Sequence, residues 1–105
     1  MVEAHDQWWK GANVEQGGWM SNWFGLFKPQ ANGWTYHADL GWVYIQPDIH
    51  DGIWIWSEAK GWHWTDSQTW PFLWSDQTNG WIYLIRSGGR VFFFDYSKES
   101  FNEDF

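Results

Sequence analysis

No cysteine occurs in this chain of 105 residues, so nothing in it depends on redox compartment, and the disulfide framework of many small secreted domains is missing. Basic residues are also few. Six Lys and Arg stand against thirteen Asp and Glu, a formal charge of -7 that opposes phosphate backbones and anionic lipid surfaces. Exposed indoles could stack on single-stranded nucleic acid, but that mode needs a basic groove as well, and none is visible. No apolar run is long enough for a membrane helix, which excludes membrane insertion by that route. The polar start, Met1-Val2-Glu3-Ala4-His5-Asp6, does not read as a signal peptide, so an extracellular or cell-surface location expects its signal outside this chain.

Motifs for catalysis are missing too. The serines lie in no Gly-x-Ser-x-Gly setting, and Ser87-Gly88-Gly89-Arg90 is a hairpin turn too short for a phosphate loop. His37 with Asp39, Asp48 with His50 and Asp51, and His63 with Asp66 place a histidine near a carboxylate, but no metal-binding spacing is present, and these read as solvated turn residues. His63 differs in position. It sits mid-strand between Trp62 and Trp64, and reads as a hydrogen-bonded core histidine rather than a base. Asp39, Glu58, Asp66 and Asp76 are turn carboxylates with no separation that would mark a glycosidase. A small hydrolase is therefore the disfavoured reading, no cofactor is expected, and the chain reads as a non-enzyme.

Leu, Ile and Val are scarce, whereas Trp numbers 13, about an order of magnitude above ordinary usage, so aromatic side chains must carry much of the packing. They are arranged with a period of two. In Gly52-Ile53-Trp54-Ile55-Trp56-Ser57-Glu58-Ala59-Lys60-Gly61-Trp62-His63-Trp64-Thr65, two runs each carry a Trp at every second position, which puts four indoles on one side of a hairpin. Gly33-Trp34-Thr35-Tyr36 with Gly41-Trp42-Val43-Tyr44, and Gly80-Trp81-Ile82-Tyr83 with Gly89-Arg90-Val91-Phe92-Phe93-Phe94, repeat the theme in degenerate form.

Three aromatic hairpins follow, with a further strand-like run at Trp70-Pro71-Phe72-Leu73-Trp74 and another over Trp19 to Phe27. The expected fold is all-β, an antiparallel meander of seven to eight short strands, either an open sheet or a flattened small barrel. A polar segment over residues 1–17 precedes the Trp-rich β domain, residues 18–96. An acidic tail, residues 97–105, frays unless Phe101 or Phe105 docks. Trp8 and Trp9 are expected to cap an open end of the domain.

In a common register, Trp34, Tyr36, Trp42, Tyr44, Trp54, Trp56, Trp62, Trp64, Phe72, Trp74, Trp81, Tyr83, Phe92 and Phe94 share one face. The opposite face is aliphatic with polar interruptions. A TIM-type barrel fills its interior with roughly twelve side chains of mostly aliphatic size, and these rings would overfill such a space. Either the sheet stays open, or rings turn outward to meet solvent, a second copy or a ligand. Flat rings match the apolar faces of sugars. The expected function is a non-catalytic binding module for polysaccharide or cell-surface glycan, with Trp34, Trp54, Trp62 and Trp81 as the platform. The alternative is a structural or self-association module, with a homo-oligomer as its partner.

The units Asn32-Gly33-Trp34-Thr35-Tyr36 through Gly41-Trp42-Val43-Tyr44, Ile53-Trp54-Ile55-Trp56 with Gly61-Trp62-His63-Trp64-Thr65, and Trp70-Pro71-Phe72-Leu73-Trp74 resemble functionally uncharacterised Trp-rich modules near the C-termini of larger, often exported bacterial proteins. The likeness covers about residues 18 to 96 and implies an accessory module without site residues. Gly-Trp pairs and Trp81-Ile82-Tyr83-Leu84 bear a weaker resemblance to choline- and glucan-binding cell-wall repeats. Those families stack hairpins into a solenoid, a period that the Trp70 to Trp74 run interrupts.

Overall fold

The computed structural model describes residues 7–49, 52–103 and 105. Eleven strands form one open antiparallel sheet in sequence order, each pairing with the next. They are β1 (Asn13–Val14), β2 (Met20–Asn22), β3 (Gly25–Pro29), β4 (Trp34–His37), β5 (Gly41–Pro47) and β6 (Ile53–Ser57). After them come β7 (Gly61–Thr65), β8 (Phe72–Ser75), β9 (Gly80–Ser87), β10 (Arg90–Asp95) and β11 (Ser100–Asn102). Single 3-10 turns occur at Gln7–Trp9, Gln16–Gly18 and Ala31–Gly33. The three expected hairpins are present as β4–β5, β6–β7 and β9–β10.

Eleven strands replace the expected seven to eight, because very short strands at both ends carry too few residues to show an alternation. The run from Trp19 to Phe27 is two strands and not one. The Asn22 side chain accepts the Phe24 N–H at 2.8 Å, and Gly25 takes φ 100, a combination that folds the chain back after Asn22. Trp70 and Pro71 precede β8, which begins at Phe72. The Trp70 ring instead packs inward on Phe24 and His37. In the tail, β11 pairs with β10, and Phe105 docks against His63 and Phe93.

The sheet does not close into a barrel, since β1 and β11 each have one neighbour, yet it curls strongly. Arg86 on β9 pairs with Asp39 in the β4–β5 turn, and Phe24 from the β2–β3 turn meets Trp70 at 4.8 Å. Elements distant along the sheet thus face each other across a common interior. That interior holds the aliphatic face: Val43, Ile45, Ile53, Ile55 and Leu73 are fully buried, with Ile82, Leu84 and Phe93 nearly so. Full burial of side chains of this size is worth roughly 1.5–3 kcal/mol each. Trp8 covers one end, its ring 4.7 Å from Phe27 and 5.5 Å from Phe24.

Four turns close in the same way. The last residue of β4, β6, β8 and β10 is a buried polar one, His37, Ser57, Ser75 or Asp95. Each side chain accepts the backbone N–H three residues on, from Leu40, Lys60, Thr78 and Lys98, at 3.2–3.3 Å. The following residue, Gly41, Gly61, Asn79 or Glu99, has positive φ and lets the chain re-enter the sheet. The buried cap satisfies a turn donor that would otherwise lack a partner.

Between β5 and β6 the constraint is steric. A Cβ on Gly52 would lie 2.7 Å from Nε1 of Trp64, whose indole donates to Asp48 at 3.1 Å and so has little freedom to retreat. Gly52→Ala is expected to cost about 1–3 kcal/mol, as overpacking does. A urea midpoint equal to that of the parent would show that the Trp64 ring is not held in place.

Candidate functional site: an outward aromatic face

The curl decides which face is sheltered, and the aromatic face is the outer one. Residues of β4 to β9 alternate between buried aliphatic or small polar side chains and half-buried or exposed rings. Trp42 is 57% exposed, and Trp34, Trp62, Phe72 and Trp81 are each near 38%. The rings are therefore not the core of the protein.

Register arranges them in three staggered ladders, each running across four or five strands. The first is Trp34, Tyr44, Trp56 and Trp62. The second begins at Gln46 and runs through Trp54, Trp64, Trp74 and Trp81. The third is Phe72, Tyr83, Phe94 and Phe101. Tyr36 and Trp42 pair with each other outside these ladders. Contacts along the first two are edge-to-face, as in Trp34–Tyr44 (71°), Trp34–Trp56 (79°) and Trp74–Trp81 (71°). Such pairs contribute about 0.5–1.5 kcal/mol each beyond buried area. Around Phe72 the geometry changes. Its ring lies at 24° to Tyr83 and 25° to Tyr96, with centroids at 4.5 and 6.5 Å.

The four indoles selected from sequence fall in three depressions on this face. Trp54 and Trp62 share one of about 370 Å3, whose rim carries Gln46 and Asp76. Trp81 lies in one of about 670 Å3, with Phe72, Tyr96, Gln68 and Thr69. Trp34 sits apart, in a depression of about 90 Å3 bordered by Trp9, Pro29, Gln30 and Asn32. Trp54 and Trp62 thus share a depression, while Trp34 and Trp81, each on a ladder with one of them, lie in depressions of their own.

Phe72 and Tyr96 were not singled out from sequence. Tyr96 continues the alternation of Phe92 and Phe94, which is the signal that identifies it, but it stands in the turn beyond β10. Gln68 and Thr69 belong to the loop before β8. Asp66 holds that loop by accepting both their backbone N–H groups, at 3.1 and 2.8 Å, so amide and hydroxyl are presented from a fixed backbone. Among the described residues, no cationic side chain lines either of the two depressions that hold Trp54 and Trp81, and a single carboxylate, Asp76, reaches one of them.

The histidines lie elsewhere. His37 is fully buried, with Nε2 2.7 Å from the Phe24 carbonyl and Nδ1 accepting from the Asp39 and Leu40 N–H groups. This assigns the proton to Nε2. Burial lowers its pKa to about 4, outweighing the Phe24 carbonyl and the Asp39 carboxylate. His63 is equally buried, and neither ring nitrogen makes a well-formed hydrogen bond among the described residues, although the Gly61 backbone comes close enough to favour the charged ring. The expectation of a core histidine holds, but the hydrogen bond expected with it is poorly formed, with only the Gly61 backbone nearby. Burial lowers its pKa to about 4 as well.

Of the three histidine–carboxylate pairs, His37 and Asp39 join in one turn, with Asp39 paired to Arg86; His37 is buried there rather than solvated, while Ala38 is exposed and Asp39 half-buried. His63 faces inward while Asp66 caps its own loop. His50 and Asp51 lie outside the described residues. Among the described residues, no group of three or more His, Asp or Glu side chains converges as metal ligands would, and no helix is long and apolar enough to cross a membrane. No family model, no curated protein sequence and no solved structure matches this chain.

Proposed function

We propose that the protein is a non-catalytic binding module whose outward aromatic ladders take a neutral polysaccharide. The observation that carries this reading is the inversion of the sheet: the aliphatic face makes the core, and the rings cover the outer surface. Contiguous apolar surface of more than a few hundred Å2 on a small domain marks an interaction site. Sugars combine apolar C–H faces with hydroxyls, and the two larger depressions combine rings with Gln, Thr and one Asp. A net charge of -7 adds repulsion against nucleic acid and other polyanions. The resemblance to Trp-rich modules of larger exported bacterial proteins supports an accessory role.

A broad panel of soluble glycans titrated against intrinsic Trp fluorescence is the test. Quenching or a blue shift that saturates is the expected result, because half-exposed indoles report on a covering ligand. A panel without any response removes the reading. The competing occupant of the face is a second copy of the chain, favoured by the exposure of Trp42 and Phe101. Light scattering across concentration separates the two, since a dimer seated on the ladders weakens sugar binding as protein concentration rises.

A further inference from the structure

We infer that the ligand path is the second ladder, and that it takes a single extended β-linked pyranose chain lying across the strands from Gln46 to Trp81. This rests on the glycan reading above and adds a position, a direction and a linkage class to it. Only this ladder connects the two larger depressions. Trp54 lines the one beside Gln46 and Asp76, and Trp81 lines the one with Gln68, Thr69, Phe72 and Tyr96, with Trp64 and Trp74 as the rungs between.

The repeat of the ladder is the spacing between strands, about 4.8 Å, close to the advance of one sugar unit in an extended β-linked chain. From β5 to β9 there are four such steps, roughly 19 Å, which accommodates about four sugar units. Equatorial linkages keep such a chain extended and turn an apolar face toward the rings at each unit. Coiled α-linked chains do not hold that advance. The amides of Gln46 and Gln68 stand at opposite ends of the path, placed to exchange hydrogen bonds with hydroxyls at both ends of the bound segment.

Shape restricts the ligand further. Adjacent strands rotate by about 20–25°, and the last two rungs, Trp74 and Trp81, meet edge to face, so the path twists and offers no coplanar platform. A single extended chain, free to twist about its linkages, can follow it. The flat face of a crystalline polysaccharide cannot. Lacking any cationic lining, the path also offers nothing to a uronate or a sulfated sugar.

The experiment is calorimetric titration of the whole chain with the soluble series from glucose to cellohexaose, with maltotetraose and crystalline cellulose as comparisons. Affinity is expected to climb with each unit up to about cellotetraose and then level. Trp54→Ala and Trp81→Ala should each weaken cellotetraose by about tenfold, as loss of an anchoring aromatic contact does. Trp42→Ala, outside the ladders, should leave it unchanged, and matching urea midpoints exclude misfolding. Affinity independent of length overturns the path while leaving glycan binding intact. So does binding of maltotetraose or crystalline cellulose in preference to cellotetraose. Absence of binding to this series with binding to another glycan again sinks only the path, and absence of all glycan binding removes the parent reading too.

Discussion

Replacing His63 by isoleucine is expected to stabilise the protein by about 1–3 kcal/mol, because a buried imidazole without a well-formed hydrogen bond bears a desolvation cost that an aliphatic side chain of similar size does not. The fold itself supplies the comparison. His63 is the third residue of the strand after its turn, and Val43 and Ile82 hold the same position in β5 and β9, both on the inner face. His37→Ile is expected to have the opposite sign, a loss of about 2–4 kcal/mol. That substitution leaves the Leu40 and Asp39 N–H groups and the Phe24 carbonyl without their side-chain partner. Urea denaturation of the two variants measures both. A destabilised His63→Ile would mean that the imidazole has a partner, such as a buried water, and would end the argument.

Acidification is expected to destabilise the protein from about pH 6.5 downward, before its carboxylates begin to titrate. Both buried histidines have folded-state pKa values of about 4, against about 6.5 for an unfolded chain, a difference worth about 3 kcal/mol each. With the folded value depressed, each contribution is complete above pH 6.5 and is lost progressively as pH falls from there toward 4. The sum is comparable to the whole stability of a small domain, which lies at about 5–15 kcal/mol. Asp95 acts at lower pH. Burial alone would raise its pKa, but the Ser97 hydroxyl and the Ser97 and Lys98 N–H groups hold its carboxyl below the usual range, so its contribution is lost only as pH falls through and below that range.

Relief of repulsion among the surface carboxylates works against this trend, but those groups are spread and screened. Urea midpoints in the parent should stay level from pH 7.5 to about 6.5 and then fall toward pH 4, and fall about half as steeply in His63→Ile. A flat profile across that window would show that neither imidazole stays neutral by burial.

Much of the architecture is legible in the residues. The alternation Trp34-Thr35-Tyr36, Trp54-Ile55-Trp56 and Trp62-His63-Trp64 states which side chains share a face, and the turn residues between such runs state that neighbours pair antiparallel. The short strands at the ends were not legible. Two or three residues such as Asn13–Val14 or Ser100–Asn102 carry no period, and pairing with an existing edge is what makes them strands. Turn caps were partly hidden as well. Ser57, Ser75 and Asp95 look like surface residues until the hydrogen bond to the third residue on explains their burial, and His37 serves the same purpose with a ring nitrogen.

Of the outer aromatic face, the rings themselves could be read, but their grouping could not. Trp81 joins Phe72 and Tyr96 only because the β8–β9 pairing and the turn after β10 set them side by side, and Gln68 and Thr69 arrive from a loop held by Asp66. Sequence alone determined that this chain has two chemically distinct faces on a meandering sheet, since side chains on a strand must alternate. Which of them points inward was decided by the curl: the concave side has room for Val, Ile, Leu and small polar caps, while the wider outer arc accommodates the indoles, and that difference in space left the aromatic ladders facing out.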